Sequence, residues 1–146
     1  MKKLFLTGAL AVILPSFTAA GGSTAPAAAV KPAKPAQLAQ AGKKNSLPGG
    51  GWFTWKFDNK PKLGTCIMII QAYSKDGRRD TSYELIGDSG MPSMPYHDSG
   101  AVKFKKNKKG NYLLPVDVVM PGEWRVIVRV KKDKKEIYAG EVLFNI

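Results

Sequence analysis

From Trp52 to the C-terminus, apolar and polar residues alternate in short runs, and turn residues break the runs about every 8–12 residues. Trp52 to Phe57 opens this region with four aromatics. Trp52 and Trp55 are out of phase with period two, so they face opposite sides of a strand. Thr65 to Tyr73 is apolar on both faces, which predicts a central strand holding Cys66 and Met68 in the core. Ser74-Lys75-Asp76-Gly77 predicts a turn. Thr81, Tyr83 and Leu85 alternate with Ser82 and Glu84, and Val102 and Phe104 share a face. Asn107-Lys108-Lys109-Gly110 reads as a hairpin turn before a strand from Tyr112 to Val119, where Pro115 signals an edge or a bend. Trp124, Val126, Val128 and Val130 alternate with Arg125 and Arg129, and Tyr138 to Ile146 gives a final strand after the turn Lys131–Lys135. No 3.6-residue periodicity is present in this region. The expectation is an all-β domain over residues 51–146, an immunoglobulin-like β-sandwich of about seven strands.

The preceding residues read differently. Lys2 and Lys3 precede an uncharged apolar run, Leu4 to Leu14, which Pro15 breaks ahead of Thr18-Ala19-Ala20. That is the pattern of a cleavable signal peptide over residues 1–20, and the run is short of the ~20 residues of a membrane-spanning helix. An uncleaved anchor is the alternative. Residues 21–50 are rich in Ala, Pro, Gly, Lys and Gln, with Val30, Leu38 and Leu47 scattered singly, and read as a disordered linker. The chain is expected to be exported to a periplasm.

The formal charge of +12 gathers at Lys103–Lys109 and Lys131–Lys135. Export argues against nucleic acid as the partner. The lysines fall at strand ends and turns, where they protect edges from aggregation. Contact with an anionic membrane surface or an acidic protein is the functional alternative. The single cysteine, Cys66, excludes an internal disulfide.

Candidate chemistry concentrates in Met91-Pro92-Ser93-Met94-Pro95-Tyr96-His97, which holds the only histidine. Thioether sulfur is a soft ligand that selects Cu(I), and neutral imidazole binds copper too. Pro92 and Pro95 cannot supply a strand ladder or a helix interior, so the segment reads as stiff, extended and without hydrogen bonds. Three residues then span roughly 10 Å, so Met91, Met94 and His97 converge on one ion only through a turn, near Asp88-Ser89-Gly90 or within the prolines. Met120 opens a second Met-Pro turn and is the candidate fourth ligand. The competing reading has Met91 and Met94 plugging the end of the sandwich as gap-fillers, Met120 capping the core beside Trp124, and His97 bonded to Asp98.

Catalysis finds no support. One histidine, no nucleophile arrangement and no glycine-rich phosphate loop point away from an enzyme. A zinc site would want Cys, His or carboxylate ligands in number, and such a set is missing.

Pro61-Lys62-Leu63-Gly64, Lys75-Asp76-Gly77, the Met-Pro-x-Met segment, Gly110-Asn111-Tyr112 and Met120-Pro121-Gly122-Glu123-Trp124 occur in this order. Together, over roughly residues 52–146, they resemble the YtkA-like domain, related to FixH-type accessory proteins of cytochrome oxidase assembly. The resemblance implies an extracytoplasmic, immunoglobulin-like domain linked to copper handling. A periplasmic copper acceptor, with a cytochrome oxidase as candidate, is the partner it implies.

Overall fold

Ten strands are present in the computed structural model, which describes residues 34–146. They are β1 (Ala36–Gln37), β2 (Asn45–Ser46), β3 (Trp52–Phe57), β4 (Gly64–Tyr73), β5 (Glu84–Gly90), β6 (Val102–Lys103), β7 (Lys105–Lys106), β8 (Tyr112–Val118), β9 (Glu123–Lys132) and β10 (Lys135–Asn145). A single 3₁₀ turn, Pro95–His97, interrupts the β structure. The strands form two five-stranded sheets, β1-β10-β9-β5-β6 and β2-β3-β4-β8-β7. The architecture is an all-β sandwich, as the alternation predicts. The signal-peptide region and the first part of the expected linker lie outside the described residues.

Alternation sets the core. Phe53 from β3, Met68 and Ile70 from β4, Leu114 and Val116 from β8, and Val126, Val128 and Val130 from β9 are all buried in one apolar cluster. Residues between them on each strand face outward. Cys66 and Met68 lie in this core, two apart on β4. Pro115, which cannot donate to a ladder, sits on β8 beyond the two residues that β7 pairs, Leu113 and Tyr112. It occupies the edge of its sheet, where a proline costs no ladder bond.

Three features depart from the sequence reading. First, the strand expected near Ala101–Lys105 is two fragments in different sheets. Val102–Lys103 pairs with β5 and Lys105–Lys106 pairs with β8, with buried Phe104 at the crossing. Second, Asp88-Ser89-Gly90 is strand rather than turn, because it continues the β5 ladder by pairing with Ile127, Val126 and Arg125 of β9. A Cβ at Gly87 would stand 2.3 Å from Leu114 Cδ2 and 2.9 Å from Phe104 Cε2. Ser89 is buried, and its hydroxyl donates to the hydroxyl of the loop residue Ser99. Third, residues 36–47, expected as disordered linker, are part of the fold. β1 pairs in parallel with β10, and Leu38 and Leu47 enter the core. Buried Asn45 accepts the Ala39 N–H at 2.8 Å, and Trp55 Nε1 donates to the Ala39 carbonyl at 2.7 Å. Isolated apolar residues carry no periodicity, so this plug is silent in the sequence.

Register fixes which loops meet. Glu84 on β5 pairs with Lys131 on β9, and Gly90 pairs with Arg125. The loop after β5 therefore lies at the opposite end of the sandwich from the lysine-rich β9–β10 turn. Gly64 pairs with Val118, so the β3–β4 loop and the β8–β9 loop share one end of their sheet.

Candidate functional site

The loop after β5 is built from two consecutive tight turns. The Met94 N–H donates to the Met91 carbonyl at 2.9 Å, and the His97 N–H donates to the Met94 carbonyl at 3.0 Å. Pro92 and Pro95 follow Met91 and Met94, where a fixed φ suits the second position of a turn. The three candidate ligands thus stand at the corners of successive turns rather than along an extended chain. Ser99 closes the loop: its N–H donates to the Ser89 carbonyl at 2.7 Å, and its hydroxyl accepts the Ser89 N–H at 2.9 Å.

The side chains of these residues diverge in environment. Met91 is 6% exposed and belongs to the core cluster, whereas Met94 is 41% exposed and His97 is exposed. Met91 crosses the end of the sandwich to the second Met-Pro turn. Its Cε stands 2.7 Å from where a Cβ on Gly122 would lie. Met120 in that turn is half-buried against the core, and its carbonyl accepts the Trp124 indole N–H at 3.0 Å. The fold therefore joins the Met91 side chain to the turn that carries Met120, and presents Met94 and His97 to solvent beside them. The Met91 environment is that of a core plug.

Asp98 does not serve His97. Its carboxylate packs against Gly90, where a Cβ would fall 1.8 Å from Asp98 Oδ1, and its other oxygen lies 3.8 Å from Arg125. His97 instead lines a groove of about 330 Å³ with Ser99, Val102, Pro115, Asp117 and Trp124. Asp117 is held there by the Thr65 hydroxyl, which donates to it at 2.6 Å. The period-two pattern of β8 places Asp117 on the outward side, but nothing local to it names His97 as its neighbour.

Cys66 stays out of this site. It is buried, and its thiol points to the Val116 carbonyl at 3.6 Å. Burial above all, with the nearby Asp58 charge, pushes the thiol pKa up, so the sulfur is held as a neutral thiol. Among the described residues, no three His, Cys, Asp or Glu side chains converge.

The same end carries unusual apolar exposure. Tyr96 is 97% exposed, Val119 71% and Leu63 53%. The loop bearing Leu63 is pinned by Asp58. The Ile67 N–H, donating at 3.0 Å, is the main reason the Asp58 carboxyl sits below its usual range, and the Asn59 N–H adds to it at 2.9 Å.

Among the described residues, no helix is long and apolar enough to cross a membrane. No family model matches the chain, and no curated protein matches it significantly. Among solved structures, the chain is similar to FetP of uropathogenic E. coli strain F11, recombinantly expressed in the periplasm of E. coli, at 8% identity and a TM-score of 0.48. The match covers 73% of this chain and 93% of FetP. At that score the likeness says nothing about function.

Proposed function

We propose that this chain is an exported copper-binding protein that buffers Cu(I) or passes it to an acceptor in the periplasm. The observation that carries the reading is the pair of hydrogen-bonded turns that sets Met91, Met94 and His97 at successive corners of one loop. Met94 and His97 are the accessible pair that would first meet the ion. Met91 would follow by turning its flexible side chain out of the core, and Met120 lies in the turn that Met91 already touches. Two or three thioethers with one imidazole suit Cu(I) and suit harder divalent ions poorly. Ligands on an exposed loop allow stepwise exchange to an acceptor's ligands. The resemblance to oxidase-assembly proteins makes a cytochrome oxidase the candidate acceptor.

Titration of the purified full chain with Cu(I) against a competing chelator tests this. Met91→Leu with Met94→Leu should weaken binding by roughly tenfold or more with the melting temperature nearly unchanged. Unchanged affinity in that double variant rejects the copper reading.

One observation favours a second reading, a metal-free interaction module. Tyr96, Val119 and Leu63 are too exposed for core packing, and they lie at the same end of the sandwich. Partner binding that survives a Cu(I) chelator and is lost in Tyr96→Ser would support it.

A further inference from the structure

The outward face of the sheet β2-β3-β4-β8-β7 is laid out by register as a grid. Directly paired residues share a face. Trp52 pairs with Tyr73, and Thr54 with Gln71. Lys56 pairs with Ile69, Ile69 with Leu113, and Leu113 with Lys105. The result is an aromatic row, a hydroxyl–amide row and an apolar row with a lysine at each edge. A groove of about 360 Å³ runs over β3 and β4 beside the segment that precedes β2, and Lys44 and Lys56 are the charged residues that line it.

The polar groups of this face are ordered before any ligand arrives. The Tyr73 hydroxyl donates to Gln71 Oε1 at 3.1 Å, and Gln71 Nε2 donates to Asn111 Oδ1 at 3.2 Å. Arg79 donates to the same Asn111 oxygen and lies over the Tyr73 ring. Trp52 stacks on Tyr73 with centroids 4.0 Å apart, and Lys44 Nζ sits 4.2 Å from the Trp52 centroid. These bonds engage the carbonyl oxygens of Gln71 and Asn111. The Asn111 amide hydrogens, a second Gln71 hydrogen and the Lys44, Lys56 and Lys105 ammonium groups remain as donors. A matching ligand therefore supplies acceptors and negative charge.

We infer that this face binds a linear acidic glycan of the uronate type. Sugar hydroxyls match the row Thr54-Gln71-Asn111, the flat apolar side of a pyranose matches Ile69 and Leu113, and carboxylates match Lys44, Lys56 and Lys105. A nucleic-acid strand is disfavoured because its bases need open ring faces. Here Trp52 has Tyr73 on one face and Lys44 on the other. A bilayer is disfavoured because Ile69 and Leu113 lie half-buried in the sheet and do not protrude. The face is separate from the methionine loop, so the glycan reading stands or falls without the copper reading.

The test is calorimetry of the full chain with hexagalacturonate, hexaglutamate and a thymidine hexanucleotide at one ionic strength. Hexagalacturonate should bind tightest. Gln71→Ala should weaken it by roughly fivefold, the worth of about one net hydrogen bond, and leave hexaglutamate unchanged. Thr54→Val, which removes only a hydroxyl, carries the same expectation if the alanine variant fails to fold. Hexaglutamate or the nucleotide binding as tightly as the glycan overturns the inference. So does a glycan affinity that neither variant changes.

Discussion

The methyl of Met91 occupies the space that a side chain on Gly122 would need: a Cβ there would lie 2.7 Å from Met91 Cε. Gly122 also has φ +139°, a conformation that side chains rarely adopt. The two Met-Pro turns are thus coupled through one glycine. Gly122→Ala should destabilise the domain by about 1–2 kcal/mol through backbone strain and expel the Met91 side chain. The readouts are thermal melting and the Met91 methyl resonance. Because the displaced atom is the tip of a flexible chain, Gly122→Ala and the core truncation Met91→Ala, which costs about 2–5 kcal/mol by itself, should combine nearly additively in a double-mutant cycle. A coupling as large as the Gly122→Ala loss would show that crowding, not backbone strain, sets the cost.

Leu38 distinguishes a tether from a structural strand. It is buried against Gly140, where a Cβ would lie 2.4 Å from Leu38 Cδ2. Leu38→Ala should cost about 2–3 kcal/mol in denaturant unfolding. A disordered linker would lose nothing measurable, so an unchanged midpoint refutes the docking of this segment.

Tyr112 ties stability to alkaline pH. Burial is the chief reason its hydroxyl is pushed up to about 12 from 10.0, while its proton donates to the Tyr83 carbonyl at 2.8 Å. Below pH 10 the hydroxyl is protonated in both folded and unfolded chains. As pH rises further, the unfolded chain loses the proton first, so the folded state weakens until about pH 12. The loss amounts to about 3 kcal/mol. Tyr112→Phe should abolish this tyrosine's share of the alkaline slope and cost about 1–2 kcal/mol at neutral pH, because the Tyr83 carbonyl loses its partner. Denaturant melts at several pH values read both effects. An alkaline slope that survives in the variant assigns it to other groups.

Cys66 should be silent toward thiol reagents in the folded protein. Only the thiolate reacts, and burial disfavours it. A disulfide-exchange reagent at neutral pH should titrate the thiol only after denaturant is added. Rapid modification of the native chain would mean that β4 opens readily beside Val116.

The legible part of the fold was the part that repeats. Trp124, Val126, Val128 and Val130 announced β9, and Pro115 announced an edge, because each obeys a rule local to its own strand. Leu38 and Leu47 obey no such rule, since each fills one gap made by distant strands. Ser89 and Gly90 carry turn chemistry in isolation, yet they continue the β5 ladder by pairing with Val126 and Arg125 of β9. At the candidate site, Pro92 and Pro95 pointed to a stiff, extended segment, and the loop instead folds into two hydrogen-bonded turns, because a proline also fits the second position of a turn. What the sequence withheld was direction. Met91 turns inward because Gly122, thirty-one positions later, leaves it room.

The lysine-rich β9–β10 turn and the methionine loop lie at opposite ends of β9. Lys132 to Lys135 and neighbouring Arg79 load one pole with positive charge, whereas the other pole presents Met94, Tyr96 and Val119. The sandwich therefore carries an electric moment along its long axis. Near a negatively charged body the molecule is rotated before it touches, with its lysine pole leading. In that orientation the methionine loop trails, facing the bulk solution, and stays free for whatever arrives from the other side.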